Sequence, residues 1–339
     1  MDYREARMAI REGKYAPVYV CYGSESYLHE EFIRTLTSQL VDPDAADFAV
    51  SKYDLTEIPL DTVIDDAETL PFLAPTKVVV ASHAGFFTGA KDTAKVEHRI
   101  ERLAGYLKKP ADSSILVFTV DAEKLDERKK IVKMLKDRQA LVSCPPMNPE
   151  DLLQWVQHQA EVNGATLAPD SAERLILRAG TRLSNLSAEI EKLSLYAGTG
   201  GRIGPEDVER LIVPSTEQNV FMLIEEAVHL RLDRALSILY ELVKQKEEPV
   251  KIMLLMARQF RLILQVKELE RQGYSLQQIA SRAGAHPYAV KLASQQARRY
   301  RPERLNDVLY ELSELDYQMK SGRVDKLLGL EMFLLKLGA

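Results

Sequence analysis

At 339 residues, 46% hydrophobic and 28% charged, the chain is long enough for two or three domains with real cores and has the composition of an ordinary globular protein. Its apolar runs fall short of the roughly 20 residues that span a bilayer, and its N-terminus, MDYREARMAIREGKY, lacks the apolar core of a signal peptide, so a cytoplasmic location and no membrane partner are expected. A net charge of −5 argues against general nucleic-acid affinity, although ten Lys and Arg against two acids over residues 251–301 give that segment +8 and leave the remainder −13. That asymmetry suggests one face for an anionic partner and another for proteins; solvated helix faces would give the same count.

Residues 17–33, PVYVCYGSESYLHEEFI, read as strand, tight turn and helix. The run Val18, Tyr19, Val20 ends at Gly23, and an amphipathic helix follows from about Tyr27. A nucleotide-binding α/β protein keeps its phosphate loop at this place, where backbone N–H groups and the helix N-terminus cradle the anion. Here Gly23, Ser24, Glu25 and Ser26 form a loop with no second glycine and no lysine, and Glu25, Glu30 and Glu31 put negative charge where a triphosphate would sit. Strands are then predicted over 48–53, 77–82, 115–120 and 140–143, and helices over 60–70, 95–107 and 125–136. This alternation indicates a mostly parallel α/β domain covering 1–144. Hydrolysis would also need an acidic pair at a strand end, and only Asp121 and Glu123 after the fourth strand offer one. A lone Asp there reads more simply as a turn residue, so ATP hydrolysis is not expected.

Three prolines within residues 145–149 interrupt both kinds of element and mark a boundary. Helices follow over 150–162, 169–179, 183–196 and 205–212, with no convincing strand, giving a small helical module over 145–213. Longer helices over 220–230, 232–246, 250–272, 276–282, 287–300, 302–320 and 324–337 make a second helical region over 214–339. Cys21 and Cys144, the only cysteines, sit beside apolar runs and read as buried thiols. The six histidines show no metal-ligand spacing and no nucleophile elbow is present, so no catalytic residue, metal or cofactor is expected.

Two stretches remain. Residues 68–73, ETLPFL, place Leu70, Phe72 and Leu73 between Pro71 and Pro75 at the end of a helix, which suits insertion into a partner's pocket or, more plainly, capping of the core. Residues 274–292 resemble a helix-turn-helix, with Ala280, Gly284 and Val290 at the required offsets and Tyr288, Lys291 and Gln295 directed toward DNA. A DNA-binding regulator is therefore an alternative reading, and an active ATPase a third.

Read from end to end, the chain resembles the delta subunit of the bacterial DNA polymerase III clamp loader in its Gram-positive-like form. The resemblance is carried by the lysine-less PVYVCYGSESYLHEE, by RAGTRLSNLSAEIEKLSLYAG through Gly180, Leu183, Glu189, Lys192 and Leu193, and by NVFMLIEEAV, ARQFRLILQVKEL, HPYAVKLASQQARRY and LDYQMKSGRVD in order. One departure is Arg182, where Asn or Asp is commoner. The resemblance implies an AAA+-like first domain without ATPase activity, a small helical lid and a C-terminal helical collar. It implies a five-subunit ring with tau/gamma ATPase subunits and delta-prime, which opens the sliding clamp (beta) for loading onto primed DNA. Phe72 and Leu73 then take the positions of the clamp-binding pair, supported by Leu70, and Glu68 stands where such peptides often carry Gln. Arg258, Arg261, Lys291, Arg298, Arg299, Lys320 and Arg323 are candidates for contact with DNA or other subunits.

Overall fold

The computed structural model describes residues 1–72, 74–90 and 96–337. The chain divides into two compact units, Met1–Pro146 and a second from Met147 onward, and the proline-rich run after Cys144 spans the division.

The first unit comprises α1 (Tyr3–Arg11), β1 (Val18–Tyr22), α2 (Ser26–Leu40), a 3-10 turn Pro43–Ala45 leading into α3 (Ala46–Ala49), β2 (Val50–Asp54), α4 (Leu60–Glu68), β3 (Lys77–Ser82), a 3-10 turn Gly85–Phe87, α5 (Ile100–Lys108), β4 (Ser114–Val120), α6 (Lys130–Asp137) and β5 (Leu141–Ser143). The strands form one sheet in the order β2-β3-β4-β1-β5, every pairing parallel. Parallel neighbours need crossover connections, which the helices supply. Helices cover both faces, so the two central strands β3 and β4 are almost wholly buried, and their sequences KVVVAS and SILVFTV are continuous apolar runs rather than alternating ones. On one face Val18, Val20, Val79, Ala81, Leu116 and Phe118 pack with Leu60, Ile64, Leu103 and Leu107 of α4 and α5. Residues of opposite parity in β1 point the other way, and Tyr19 meets Phe32 of α2 edge-on with ring centroids 5.1 Å apart.

One helix was not anticipated and three element starts differ from expectation. The charged N-terminal stretch is helical, because Tyr3, Ala6 and Ile10 recur on one buried face. Strand β2 starts at Val50 rather than residue 48: Asp42 accepts a hydrogen bond from Asp44 N at 3.0 Å, Pro43 follows it, and the helical turn so started carries the chain through Ala49. Helix α6 starts at Lys130 rather than 125, since Asp126 N donates to Phe87 O at 2.9 Å and its carboxylate accepts from Arg128, holding 125–129 out of helix. Helix α5 begins at Ile100, and residue 95, its expected start, lies outside the described residues.

The second unit holds α7 (Pro149–Val162), β6 (Thr166–Leu167), α8 (Pro169–Ala179), α9 (Leu183–Ala197), β7 (Arg202–Ile203), α10 (Pro205–Leu211), α11 (Thr216–Val228), α12 (Leu232–Lys244), α13 (Pro249–Arg271), α14 (Leu276–Ala283), α15 (Pro287–Ala297), α16 (Pro302–Lys320) and α17 (Lys326–Leu337). The two-residue strands β6 and β7 pair in parallel, a feature too short to leave a periodic signal in sequence. The longest helix, α13, is the spine of the later helices: Met253, Met256, Phe260 and Ile263 lie on its buried face, and α11, α14, α15, α16 and α17 pack against it. Helices on the two sides of Pro214 also touch, α8 against α11 and α7 against α15. Pro214 thus separates two helical groups within one compact unit. The α/β-plus-all-α class expected from sequence is the class observed.

Candidate functional site

Since all five strands run in parallel, every strand-to-helix turn lies at one end of the sheet and every helix-to-strand turn at the other. The turn after β1 and the segment before β3 are therefore at opposite ends, separated by a strand of five residues or about 17 Å.

At the carboxyl end, three residues, Gly23, Ser24 and Glu25, connect β1 to Ser26 at the start of α2. Gly23 has φ +145°, and a Cβ there would lie 1.9 Å from the carbonyl oxygen of Cys144, so only glycine fits. The amide of Gly23 donates to Val120 O at 3.3 Å and that of Glu25 to Cys144 O at 3.4 Å. Two donors that a phosphate loop would aim at its anion are thus turned toward the protein's own carbonyls. Beneath the turn the thiols of Cys21 and Cys144 are both buried. Hydrogen bonds from Cys21 and His29 pull the Cys144 thiol below the usual range, while burial pushes Cys21 up. Farther along the same end, His83 stands between Asp54 at 3.2 Å and Asp121 at 3.6 Å, each half-exposed. Asp121 accordingly serves a loop contact. Among the described residues no group of three His, Cys, Asp or Glu is placed to hold a metal ion.

At the amino end, α4 stops at Glu68 and the chain turns at Thr69, whose hydroxyl donates back to Asp65 O at 2.8 Å. Beyond it Leu70 is 78% exposed and Phe72 66% exposed. Neither caps the core. Leu73, the other member of the expected pair, lies outside the described residues. The neck of this segment is fixed from both sides. Buried Lys77, first residue of β3, reaches Asp66 near the end of α4, with Nζ 2.7 Å from Oδ1 and 2.9 Å from the Asp66 carbonyl oxygen. Ser114 Oγ donates to Ala67 O at 2.6 Å and lies 3.2 Å from the Tyr106 hydroxyl. Glu68, the departure from Gln, is held with Asp65 by the Arg102 guanidinium at 2.7 and 2.8 Å, which turns its carboxylate toward α5. Proline at 71 and 75 removes two backbone donors and limits φ, so a prebraced tip presents large apolar side chains to solvent.

Sequence reasoning missed a third side chain here. Phe48, placed on a strand by its periodicity, instead sits on α3, is 56% exposed and meets Phe72 edge-on, with centroids 6.2 Å apart and rings at 71°. The Asp42-Pro43-Asp44 capping pattern was the signal that could have found it.

The basic candidates are spread over α13, α15 and the end of α16. Arg258 is 3.4 Å from Glu217, Lys320 pairs with Asp316 at 2.7 Å, and the Arg323 guanidinium lies 5.1 Å from the Tyr317 ring centre. Arg261, Arg298 and Arg299 are exposed and make no ion pair among the described residues. Other cations of the +8 segment have local tasks: Lys267 donates to Ala297 O at the end of α15 at 2.8 Å, Arg271 pairs with Glu268 at 2.9 Å, and Arg282 lies over Tyr274 at 4.1 Å.

Helices α14 and α15 do form a helix–turn–helix, closed by left-handed Gly284 with φ 59°. Its second helix is not free to read a groove as expected. Tyr288 is buried, with the Lys291 ammonium 6.0 Å from its ring centre, and Val290, Ala293, Ser294, Gln296 and Ala297 are buried too. Gln296 bridges Gln259 at 2.9 Å and Glu225 at 2.7 Å. His286 caps this helix by accepting from Tyr288 N at 3.1 Å, and burial lowers its pKa to about 4. Only Gln295 of the expected trio is exposed, so packing explains the motif.

Comparison with known proteins matches residues 19–145 to the family described as DNA polymerase III, delta subunit, and residues 217–337 to DNA polymerase III delta subunit, C-terminal domain. The chain is 40% identical over 329 residues to the DNA polymerase III subunit delta of Bacillus subtilis, covering 97% of this chain and 95% of that one. It is 23% identical over 278 residues to a probable DNA polymerase III subunit delta of Aquifex aeolicus, covering 81% and 77%. The solved Bacillus subtilis DNA clamp loader delta protein superposes with a TM-score of 0.77 at 39% identity, covering 99% of both chains.

Proposed function

The chain belongs to the family of DNA polymerase III delta subunits, and from that premise we propose that it is the non-catalytic clamp-loader subunit that binds the sliding clamp and opens it for loading onto primed DNA. The observation that carries this reading is the braced, solvent-exposed tip with Leu70 and Phe72. Exposed apolar side chains on a fixed neck bind with little ordering cost, because the tip is held before the partner arrives. Leu73, which the family resemblance pairs with Phe72, is assigned to the same contact. Opening a ring requires no bond chemistry; it requires higher affinity for the open state than for the closed one.

ATP binding and hydrolysis then belong to the tau/gamma neighbours. The short turn after β1, its committed amides and Glu25 support an ATPase-inactive first domain covering 1–144. Residues 145–213 act as the lid and 214–339 as the collar that joins tau/gamma and delta-prime in the five-subunit ring. Exposed Arg258, Arg261, Arg298 and Arg299 are offered to DNA or to those neighbours. Among the described residues no helix is long and apolar enough to cross a membrane.

Titration of purified sliding clamp into the wild-type chain and the Phe72→Ala/Leu73→Ala double variant tests this reading. Loss of binding with an unchanged melting temperature is expected. Equal affinity of the two proteins would overturn the assignment.

A further inference from the structure

We propose that Phe48 is a direct clamp contact, so that the docking surface is built from two separate segments of the chain, the helical turn before β2 and the tip before β3. This rests on the clamp-binding reading of Leu70 and Phe72 and extends it to a residue outside that continuous motif.

The fold brings the two segments together. Strands β2 and β3 are neighbours, with Val50 beside Val78, so the segments that lead into them emerge side by side at the amino end of the sheet. Phe48 stands two residues before β2. Its turn is held by the cap from Asp42 to Asp44 N and by fully buried Ala49 beneath it. Its ring meets that of Phe72 edge to face at 6.2 Å, the geometry aromatic pairs prefer. A residue that only propped Phe72 would lie underneath it, shielded from water. Phe48 is instead more than half exposed, like its partner, so the two rings and Leu70 offer adjoining apolar surface that a single pocket can cover.

The surroundings indicate what that pocket is like. Asp42, Asp44 and Asp47, on the capped turn and short helix that carry Phe48, are all exposed, while Asp65 and Glu68 beside the tip are already held by Arg102. An apolar centre with an exposed acidic rim on one side fits a partner surface that pairs an apolar pocket with basic groups at its border. The clamp surface that receives the tip is inferred to carry those groups on the side facing α3.

The test uses the full chain and purified clamp. Phe48→Ala is expected to weaken binding about tenfold, equivalent to about 1.4 kcal/mol, with an unchanged melting temperature. A photoreactive benzoyl-phenylalanine at position 48 is expected to crosslink to the clamp, and the same group at exposed Ser38 of α2 is not. Wild-type affinity of Phe48→Ala, with Phe72→Ala defective, would remove Phe48 from the surface and leave the tip reading intact. Wild-type affinity of both variants would defeat the tip reading itself. Weakened binding without a crosslink at 48 would mean that Phe48 acts only through Phe72, and overturns direct contact. Self-association of the free chain that Phe48→Ala abolishes would assign the surface to a second copy and overturn the proposal.

Discussion

At the carboxyl end of the sheet the turn after β1 directs its amides at neighbouring carbonyls, whereas at the amino end the segment before β3 leaves large apolar side chains in solvent. Both ends are grafted on the same five parallel strands. The carboxyl end is sealed: Gly23 packs against Cys144 with no room for a side chain, and the amides of Gly23 and Glu25 donate to internal carbonyls. The amino end is open but braced, with its polar groups gathered in the neck and its apolar groups at the tip. A buried Leu or Phe contributes about 1.5–3 kcal/mol that an exposed one forgoes. The open end therefore holds unrealised burial energy that a partner can collect.

If that contrast is right, substitutions at the amino end change binding without changing stability, and those at the carboxyl end do the reverse. The Phe72→Ala/Leu73→Ala variant gives the largest expected effect, a loss of at least about a hundredfold in clamp affinity from truncating two hot-spot side chains. Calorimetry should place its unfolding within about a degree of wild type, because an exposed Phe72 has little packing to lose. Gly23→Ala comes next and moves the other quantity. Its Cβ meets backbone at 1.9 Å and its φ is +145°, so about 3 kcal/mol or more of stability should be lost in denaturant titration. Clamp affinity per folded molecule should be unchanged; a parallel loss of affinity would mean that the two ends are coupled.

Lys77→Met is expected to lie between these behaviours. It leaves the Asp66 carboxylate without its buried partner and unties the neck, at a cost of about 1–3 kcal/mol. Because the tip then samples more conformations before docking, clamp affinity should also fall several-fold, mostly as a slower association rate. Association kinetics at wild-type rates would show that the neck braces the fold and not the tip.

Much of this arrangement was legible in the sequence, for reasons that differ by element. The runs KVVVAS and SILVFTV identified central parallel strands because burial on both faces removes alternation. At Leu70 and Phe72 the prolines at 71 and 75 excluded regular elements but left an exposed tip and a core cap both open, and the structure leaves both side chains exposed. Phe48 was not legible. Its neighbours Val50 and Tyr53 extend a strand pattern back to it, and the competing cap at Asp42 acts through a hydrogen bond six residues upstream. The helix-turn-helix pattern was real but misleading about exposure. Offsets of small residues report that two helices pack closely, and they do not report whether further helices cover Tyr288 and Gln296. The opposition of the two ends follows from the parallel sheet that the alternation indicated, whereas the strand order that sets β2 beside β3 has no local pattern to reveal it.

The smallest expected effect is the sharpest test of the sealed end. Glu25→Lys replaces the repelling carboxylate by the cation that a phosphate loop would carry, so charge alone no longer opposes a nucleotide. The variant should still show no ATP-dependent rise in melting temperature with magnesium present. Three residues are too few to wrap a phosphate, and the amides at 23 and 25 remain directed at Val120 and Cys144. Binding would be visible if it occurred, because ATP at a hundredfold excess over its Kd stabilises the folded chain by about 2.7 kcal/mol. A shift of that size would show that electrostatic repulsion alone had silenced the site, with its backbone still shaped for phosphate. An unshifted transition means that the geometry of the turn, fixed by Gly23 against Cys144, is sufficient to keep nucleotide out.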